Sequence, residues 1–175
     1  TGAGKALCYQ IPALVLPGIT LVVSPLISLM QDQVGALLQN GVRAAYINSS
    51  LTERQITLAL HNAARGVYRI VYVAQDRPTT PNARRGVYRI IYVAPERLLT
   101  ESFLDFAMHA PIDQVVVDEA HCVSQWGQDF RPGYLRIEPF IRELPRRPRV
   151  SAFTATATES VRQDIIRLLR LRDPS

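Results

Sequence analysis

Thr1-Gly2-Ala3-Gly4-Lys5 is a glycine-rich turn that ends in lysine. Glycines let successive backbone N–H groups converge on phosphate oxygens, and the lysine supplies a point charge. Far downstream, Asp118 and Glu119 stand together at the end of an apolar run, Val115-Val116-Val117. A buried strand of that kind delivers one carboxylate toward a magnesium nucleotide and a second toward the attacking water. Two further strings complete an ordered set: Tyr92-Val93-Ala94-Pro95-Glu96-Arg97-Leu98 between them, and Thr154-Ala155-Thr156-Ala157-Thr158 after them. The chemistry implied is hydrolysis of a nucleoside triphosphate, and the order is that of a nucleotide-driven motor acting on nucleic acid.

Each string has a plainer alternative. Lys5 would hold the β- and γ-phosphates while the backbone of Gly2 to Ala6 cradles them at a helix start; the alternative is an ordinary glycine turn before a helix. Ala6 stands where this motif places a magnesium-binding hydroxyl, and a methyl group ligates nothing. Asp118 would reach magnesium through water and Glu119 would orient or deprotonate the nucleophile; otherwise they are two solvated acids at a strand end. Trp126, Phe130 and Arg131 lie in a loop bounded by Gly127 and Pro132. Aromatics beside arginine make a stacking platform for unpaired bases, or they fill a satellite core. Thr156 also reads as a helix cap.

The wording of these strings, with Leu7-Cys8-Tyr9-Gln10-Ile11-Pro12-Ala13, Val22 through Met30 and Ser124-Gln125-Trp126-Gly127-Gln128-Asp129-Phe130-Arg131-Pro132, resembles the RecQ family of ATP-dependent DNA helicases over nearly the whole chain. The resemblance implies a P-loop NTPase lobe of RecA type that binds ATP and Mg2+. It implies 3'–5' unwinding of DNA in repair and recombination, with single strands and duplex junctions as partners. His121 becomes a relay to the third motif, though a satisfied surface histidine fits equally. Ser24, Pro25, Thr154 and Thr156 would approach the DNA backbone or link it to ATP. The tryptophan loop would couple DNA contact to hydrolysis and disfavours an RNA helicase. Gln128 stands where the family usually has His, and Gly133 where it has Glu. The chain then corresponds to a first lobe, residues 1–175, truncated at both ends and without the second lobe that carries the arginine finger, so that alone it should not unwind DNA. A catalytically impaired nucleic-acid-binding remnant is the rival reading. The expected location is the bacterial cytoplasm beside the nucleoid, or the nucleus in a eukaryote.

Composition bounds less. At 175 residues one domain with a real core is expected. A net charge of +5 is compatible with a polyanion partner without demanding one. The local basic cluster, Arg146-Arg147-Pro148-Arg149, reads as a solvated turn or a phosphate contact. Cys8 and Cys122 are too far apart in sequence for a CxxC pair, which argues for reduced thiols rather than a metal site or disulfide. Between Lys5 and Asp32 no charge occurs, yet Pro12, Pro17-Gly18 and Ser24-Pro25 break the stretch into pieces too short to span a bilayer.

The elements that must position these groups alternate. A buried helix follows Lys5, then a strand over 20–24, a helix with Leu26, Leu29, Met30, Val34, Leu37 and Leu38 on one face closed by Gly41, and a strand over 44–48. A helix from Thr52 to about Ala64 follows. Strands are expected over 87–93, 114–117 and 150–153, with a helix of about three turns beginning near Glu96. The last helix is capped near Thr156 or Thr158 and buries Val161, Ile165, Leu168 and Leu169. The pattern predicts an α/β fold, a three-layer parallel sheet with helices on both faces and nucleotide at the carboxyl ends of the strands.

One feature is internal. Residues 65–74, RGVYRIVYVA, recur at 85–94 as RGVYRIIYVA, and only the second copy runs on into Pro95-Glu96-Arg97-Leu98. Two copies suggest a tandem duplication about twenty residues long rather than a solenoid, with residues 65–84 inserted. The connector between the copies, residues 78–84, is too short for the helical crossover of a parallel pair, which predicts that the copies are not parallel neighbours in one sheet. The expectation is that the later copy occupies the sheet and the earlier one is a passenger, antiparallel at an edge or outside the sheet.

Overall fold

The computed structural model describes residues 5–25, 39, 44–47, 70–73, 90–127, 129–155 and 157–172. Among them the elements run α1 (Lys5–Val15), β1 (Ile19–Val23), β2 (Ala44–Ile47), β3 (Ile70–Val73), β4 (Ile90–Val93), α2 (Glu101–His109), β5 (Ile112–Val117), α3 (Ile137–Glu143), β6 (Arg149–Ala152) and α4 (Glu159–Leu168). The six strands form one sheet in the order β2-β3-β4-β1-β5-β6, and every pairing is parallel.

β1, Ile-Thr-Leu-Val-Val, is buried at all five positions, as a strand covered on both faces must be. Its alternate residues divide between two layers. Leu21 and Val23 join Ile91, Val93, Val115 and Val117 in a core closed by Phe103 and Phe106 of α2, Phe140 and Ile141 of α3, and Val161 and Ile165 of α4. On the opposite face Tyr92 meets Tyr9 of α1, ring centroids 6.4 Å apart, and accepts a hydrogen bond from Gln10 at 3.2 Å. The fold class is therefore the expected three-layer α/β arrangement. Gly18 sits where β1 enters the sheet, and a Cβ there would collide with the Pro111 carbonyl oxygen.

Several expectations change. The two repeat copies are parallel neighbours after all, Ile70 opposite Ile90 and Val73 opposite Val93. The relevant connection is not the connector between the repeats but everything between the strands, residues 74–89, which exceeds the dozen or so residues a parallel crossover requires. The earlier copy is no antiparallel edge or excluded loop: it lies inside the sheet, between β2 and β4. α1 is buried on one side only. Tyr9 and Ala13 are covered, whereas Leu7, Ile11 and Val15 are 56, 59 and 82% exposed.

The helix expected near Glu96 begins at Glu101, because Pro95–Arg97 first makes a 3-10 turn and Thr100 Oγ1 donates to the Arg97 carbonyl. α3 was not expected at all. Its proline, Pro139, falls in the first helical turn, where the missing N–H costs nothing, and Ile137, Phe140 and Ile141 make its buried face. At α4, Thr158 rather than Thr156 is the cap, its Oγ1 accepting from Val161 N at 3.4 Å. The helices expected over 26–38 and 52–64 and the proposed Gly41 cap lie outside the described residues, apart from residue 39.

Candidate nucleotide site and aromatic loop

Three chain segments converge at the carboxyl end of the sheet. α1 opens with Lys5, and β1 and β5 end at Val23 and Val117. Sheet pairing continues past both strands: Ser24 N donates to Val93 O, and Asp118 N to Val23 O. This fixes Asp118 and Glu119 beside the start of α1, with Lys5 Nζ 3.5 Å from Glu119 Oε1.

Glu119 has φ 48 and ψ 47, left-handed values that cost an L-residue about 1–2 kcal/mol. The turn is held from several sides. Glu119 N donates to Asp118 Oδ1, Ala120 N to Phe153 O, and the Tyr134 hydroxyl to Asp118 O at 2.7 Å. Burial raises the Asp118 carboxyl above its ordinary range, and the neighbouring Glu119 carboxylate adds to the rise. The Glu119 backbone N–H, Lys5 and the Ser24 hydroxyl oppose it. A cation brought to Asp118 would favour its charged form and offset that penalty.

His121 joins this turn to the third motif. Its Nδ1 lies 2.8 Å from Thr154 Oγ1 and 3.5 Å from Glu119 Oε2. Phe153 N donates to Val117 O, so Thr154 is delivered by the same β5–β6 seam that positions the acids.

The aromatic loop follows directly. Trp126 is 80% exposed, Phe130 is half-buried, and the Arg131 guanidinium is gripped by Asp129 at 2.8 Å. Arg131 Nη1 also donates to Pro25 O at 3.5 Å, linking this loop to the residue after Ser24. Gly127 is required: a Cβ there would stand 2.5 Å from the His121 carbonyl oxygen. Ser124 anchors the loop base. Its hydroxyl donates to Asp164 on α4 at 2.7 Å and accepts from Trp126 N at 3.2 Å. Arg167 first, then Ser124, hold the Asp164 carboxyl below its ordinary range.

The structure thus brings together Lys5, Asp118, Glu119, His121 and Thr154, and places Ser24, Pro25, Trp126, Phe130 and Arg131 around them. Thr1 to Gly4, Gln128 and Thr156 lie outside the described residues, and so does the side chain of Ala6. Tyr134, Ser124, Asp164 and Asp129 were missed by sequence reasoning; only Ser124 and Asp129, inside the tryptophan string, carried any signal. At Gly133, where glutamate was expected, a Cβ would lie 2.5 Å from Glu96 Oε1, so another carboxylate already borders that position.

No cluster of three or more metal-ligating side chains occurs among the described residues. One carboxylate, Asp118, beside a lysine suits a divalent ion carried in by phosphate oxygens, which is how magnesium is usually held. No helix among the described residues is long and apolar enough to cross a membrane.

Residues 1–165 match the family model for DEAD/DEAH box helicases. The chain is 43% identical over 172 residues to the ATP-dependent DNA helicase RecQ of Bacillus subtilis, covering 98% of this chain and 26% of that protein. It is 43% identical to the protein of the same name from Pasteurella multocida, covering 99% and 24%. It therefore spans about a quarter of the length of these relatives. A solved structure of a hypothetical ATP-dependent RNA helicase from Sulfolobus tokodaii aligns with a TM-score of 0.40 at 18% identity, covering 95% of this chain and 50% of that one. The resemblance to RecQ helicases read from the sequence motifs is borne out, and this chain belongs to the DEAD/DEAH box helicase family.

Proposed function

We propose that this chain is the ATP-binding lobe of a RecQ-type DNA helicase that moves 3'–5' and serves DNA repair and recombination. The observation that carries the reading is the 3.5 Å approach of Lys5 Nζ to Glu119 Oε1, with Asp118 beside it, at the carboxyl end of a parallel sheet. Lys5 and the start of α1 would hold the triphosphate, and Asp118 would support its magnesium ion, which supplies charge neutralisation on the transferred phosphoryl group. Glu119, kept in a left-handed turn, orients and deprotonates the attacking water. His121 and Thr154 pass the state of that carboxylate to the third motif. Trp126 and Phe130 stack on unpaired bases while Arg131 takes a phosphate.

Unwinding of single-strand–duplex junctions is proposed for the whole protein. Nucleotide closure between two lobes, with an arginine finger from the second, contributes several orders of magnitude in rate. Its proposed location is the cytoplasm beside the nucleoid, or the nucleus if the source is eukaryotic.

The test is DNA-stimulated ATP hydrolysis by the full-length parent protein, with Lys5→Ala and Glu119→Gln as controls. Stimulation lost in both variants supports the reading. A second reading, a nucleic-acid-binding remnant with impaired catalysis, is favoured by Ala6 in place of a metal-binding hydroxyl. Retained DNA binding with no hydrolysis in the unaltered protein would select it.

A further inference from the structure

At the opposite end of the sheet the chain carries a second concentration of charge. The turn before β6 supplies Arg146 and Arg147, the first residue of β6 is Arg149, and the chain leaving α4 supplies Arg172. Two cavities meet there, about 360 and 390 Å3 in volume, and they share Arg147, Pro148 and Arg149 as a common wall. One extends to Arg172 and the other to Asp113 and Pro17. Together they form a trough across the amino-terminal ends of β5 and β6. The six residues of β5 separate it from the acidic turn by about 20 Å.

Among the described residues, one carboxylate lines the trough. Asp113 accepts from Gly18 N at 2.7 Å and from Arg146 Nη2 at 2.7 Å, so it is already matched. Arg147 is braced by donating to the Arg170 carbonyl at 2.7 Å. Among the described lining residues, that leaves the positive charges of Arg147, Arg149 and Arg172 without an opposing acid. No aromatic ring is found among the described residues that line either cavity, and these residues offer guanidinium groups rather than a stacking surface. Guanidinium groups in a row suit planar recognition of phosphate oxygens.

We propose that this trough is a second nucleic-acid contact, binding successive phosphates of a DNA backbone without reading sequence. Its elongation over two adjoining cavities favours a chain of phosphates over a single anion. The choice of DNA rests on the function proposed above; the phosphate chemistry does not. A strand or duplex arm reaching this end would be held independently of the tryptophan loop.

The experiment uses the chain as it stands, with Arg149→Ala/Arg172→Ala as the variant and Arg149→Lys/Arg172→Lys as a charge-preserving control. Binding of a fluorescent oligothymidylate is titrated at several salt concentrations. Two lost phosphate contacts should flatten the slope of log affinity against log salt by about 1.4, and lower affinity roughly tenfold at low salt. The lysine variant should keep most of the slope, and nucleotide affinity should not change. Trp126→Ala, measured in parallel, should lower affinity while leaving the salt slope nearly intact. If that loss appears but the arginine variant binds like the unaltered chain, the trough proposal is overturned and the helicase reading stands. Binding of inorganic polyphosphate lost from the arginine variant, with DNA binding unaffected, overturns DNA as the occupant. An unaltered chain that binds no DNA overturns both.

Discussion

His121 Nδ1 and Thr154 Oγ1 lie 2.8 Å apart although a 3-10 turn (Pro132–Arg136), a helix and a strand separate the two residues in the chain. The same imidazole nitrogen is 3.5 Å from Glu119 Oε2, so one ring bridges the acidic turn and the third motif. Movement of Thr154 must therefore be felt at the carboxylate that faces Lys5.

Breaking that bridge should uncouple without emptying the site. Thr154→Val keeps the shape and removes the hydroxyl. In the full-length protein the expected result is a roughly tenfold lower DNA-stimulated turnover, the cost of about one hydrogen bond to a charged or polar partner. The KM for nucleotide should stay near its original value, and Thr154→Ser should restore turnover. Equal losses in the serine and valine variants would mean that the hydroxyl is not the coupling group.

Trp126 gives a second expectation. At 80% exposed it contributes little to the core, so Trp126→Ala should leave Tm within a degree or two of the unaltered chain. Affinity for single-stranded DNA should drop by about 1–3 kcal/mol if the ring stacks on a base. Unchanged affinity over a salt series would remove the stacking role.

These sites were legible to different depths, for physical reasons. Asp118 and Glu119 could be read because three valines before them demand a buried strand, and a strand has a definite end. His121 gained its partner only through family resemblance; nothing local ties it to Thr154. Ser124 and Asp164 meet across forty positions of chain, and no periodic pattern encodes a contact of that range. α3 escaped because a proline in a short segment reads as a breaker unless it is assigned to the first turn. The parallel pairing of β3 with β4 was misjudged by measuring the repeat instead of the shorter strands inside it.

Cys122 gives a pH-dependent expectation. Burial, reinforced by the Asp129 carboxylate, pushes its thiol from 9.0 up to about 11. The folded chain therefore holds this proton more tightly than the unfolded chain does. The resulting stability is fully present below pH 9.0 and is lost as pH rises through about 11. Comparing Tm of the unaltered chain with Cys122→Ala should show a constant difference up to the lower value and a shrinking one between the two. At neutral pH iodoacetamide should modify exposed Cys8 well before Cys122. A difference that does not vary with pH would place the titration elsewhere.

Ala6 sets a prediction for magnesium. A hydroxyl one residue after the lysine normally joins the metal's coordination shell, and under the proposed function Asp118 would help to hold the ion. Ala6→Ser should increase the magnesium dependence of ATP affinity by about 1–3 kcal/mol and change little in a chelator. Strong magnesium dependence in the unaltered chain would show that water already fills the hydroxyl's place, and that Ala6 does not impair the site.

The duplicated strand yields the prediction with the clearest geometric readout. β3 presents Ile-Val-Tyr-Val between β2 and β4, and β4 presents Ile-Ile-Tyr-Val to β1 in the same register. Deleting residues 66–85 removes one copy and leaves Arg65 running into Gly86, so β2 should pair directly with β4. The edge it meets then repeats the lost one except for a single added methylene, Ile91 for Val71. Stability should be equal or improved, because the connection becomes shorter and closing it costs less. Position 45 lies opposite 71, and 71 opposite 91. In the unaltered chain Ala45 and Ile91 are thus two strands apart, about 9.6 Å, beyond disulfide reach; after deletion they should be about 4.8 Å apart. An Ala45→Cys/Ile91→Cys pair should therefore cross-link under mild oxidation only in the deleted chain, as peptide mapping would show. Ala45→Cys/Val71→Cys should cross-link in the undeleted one. A deleted chain that fails to fold would establish the earlier copy as an indispensable strand rather than an addition to a complete sheet.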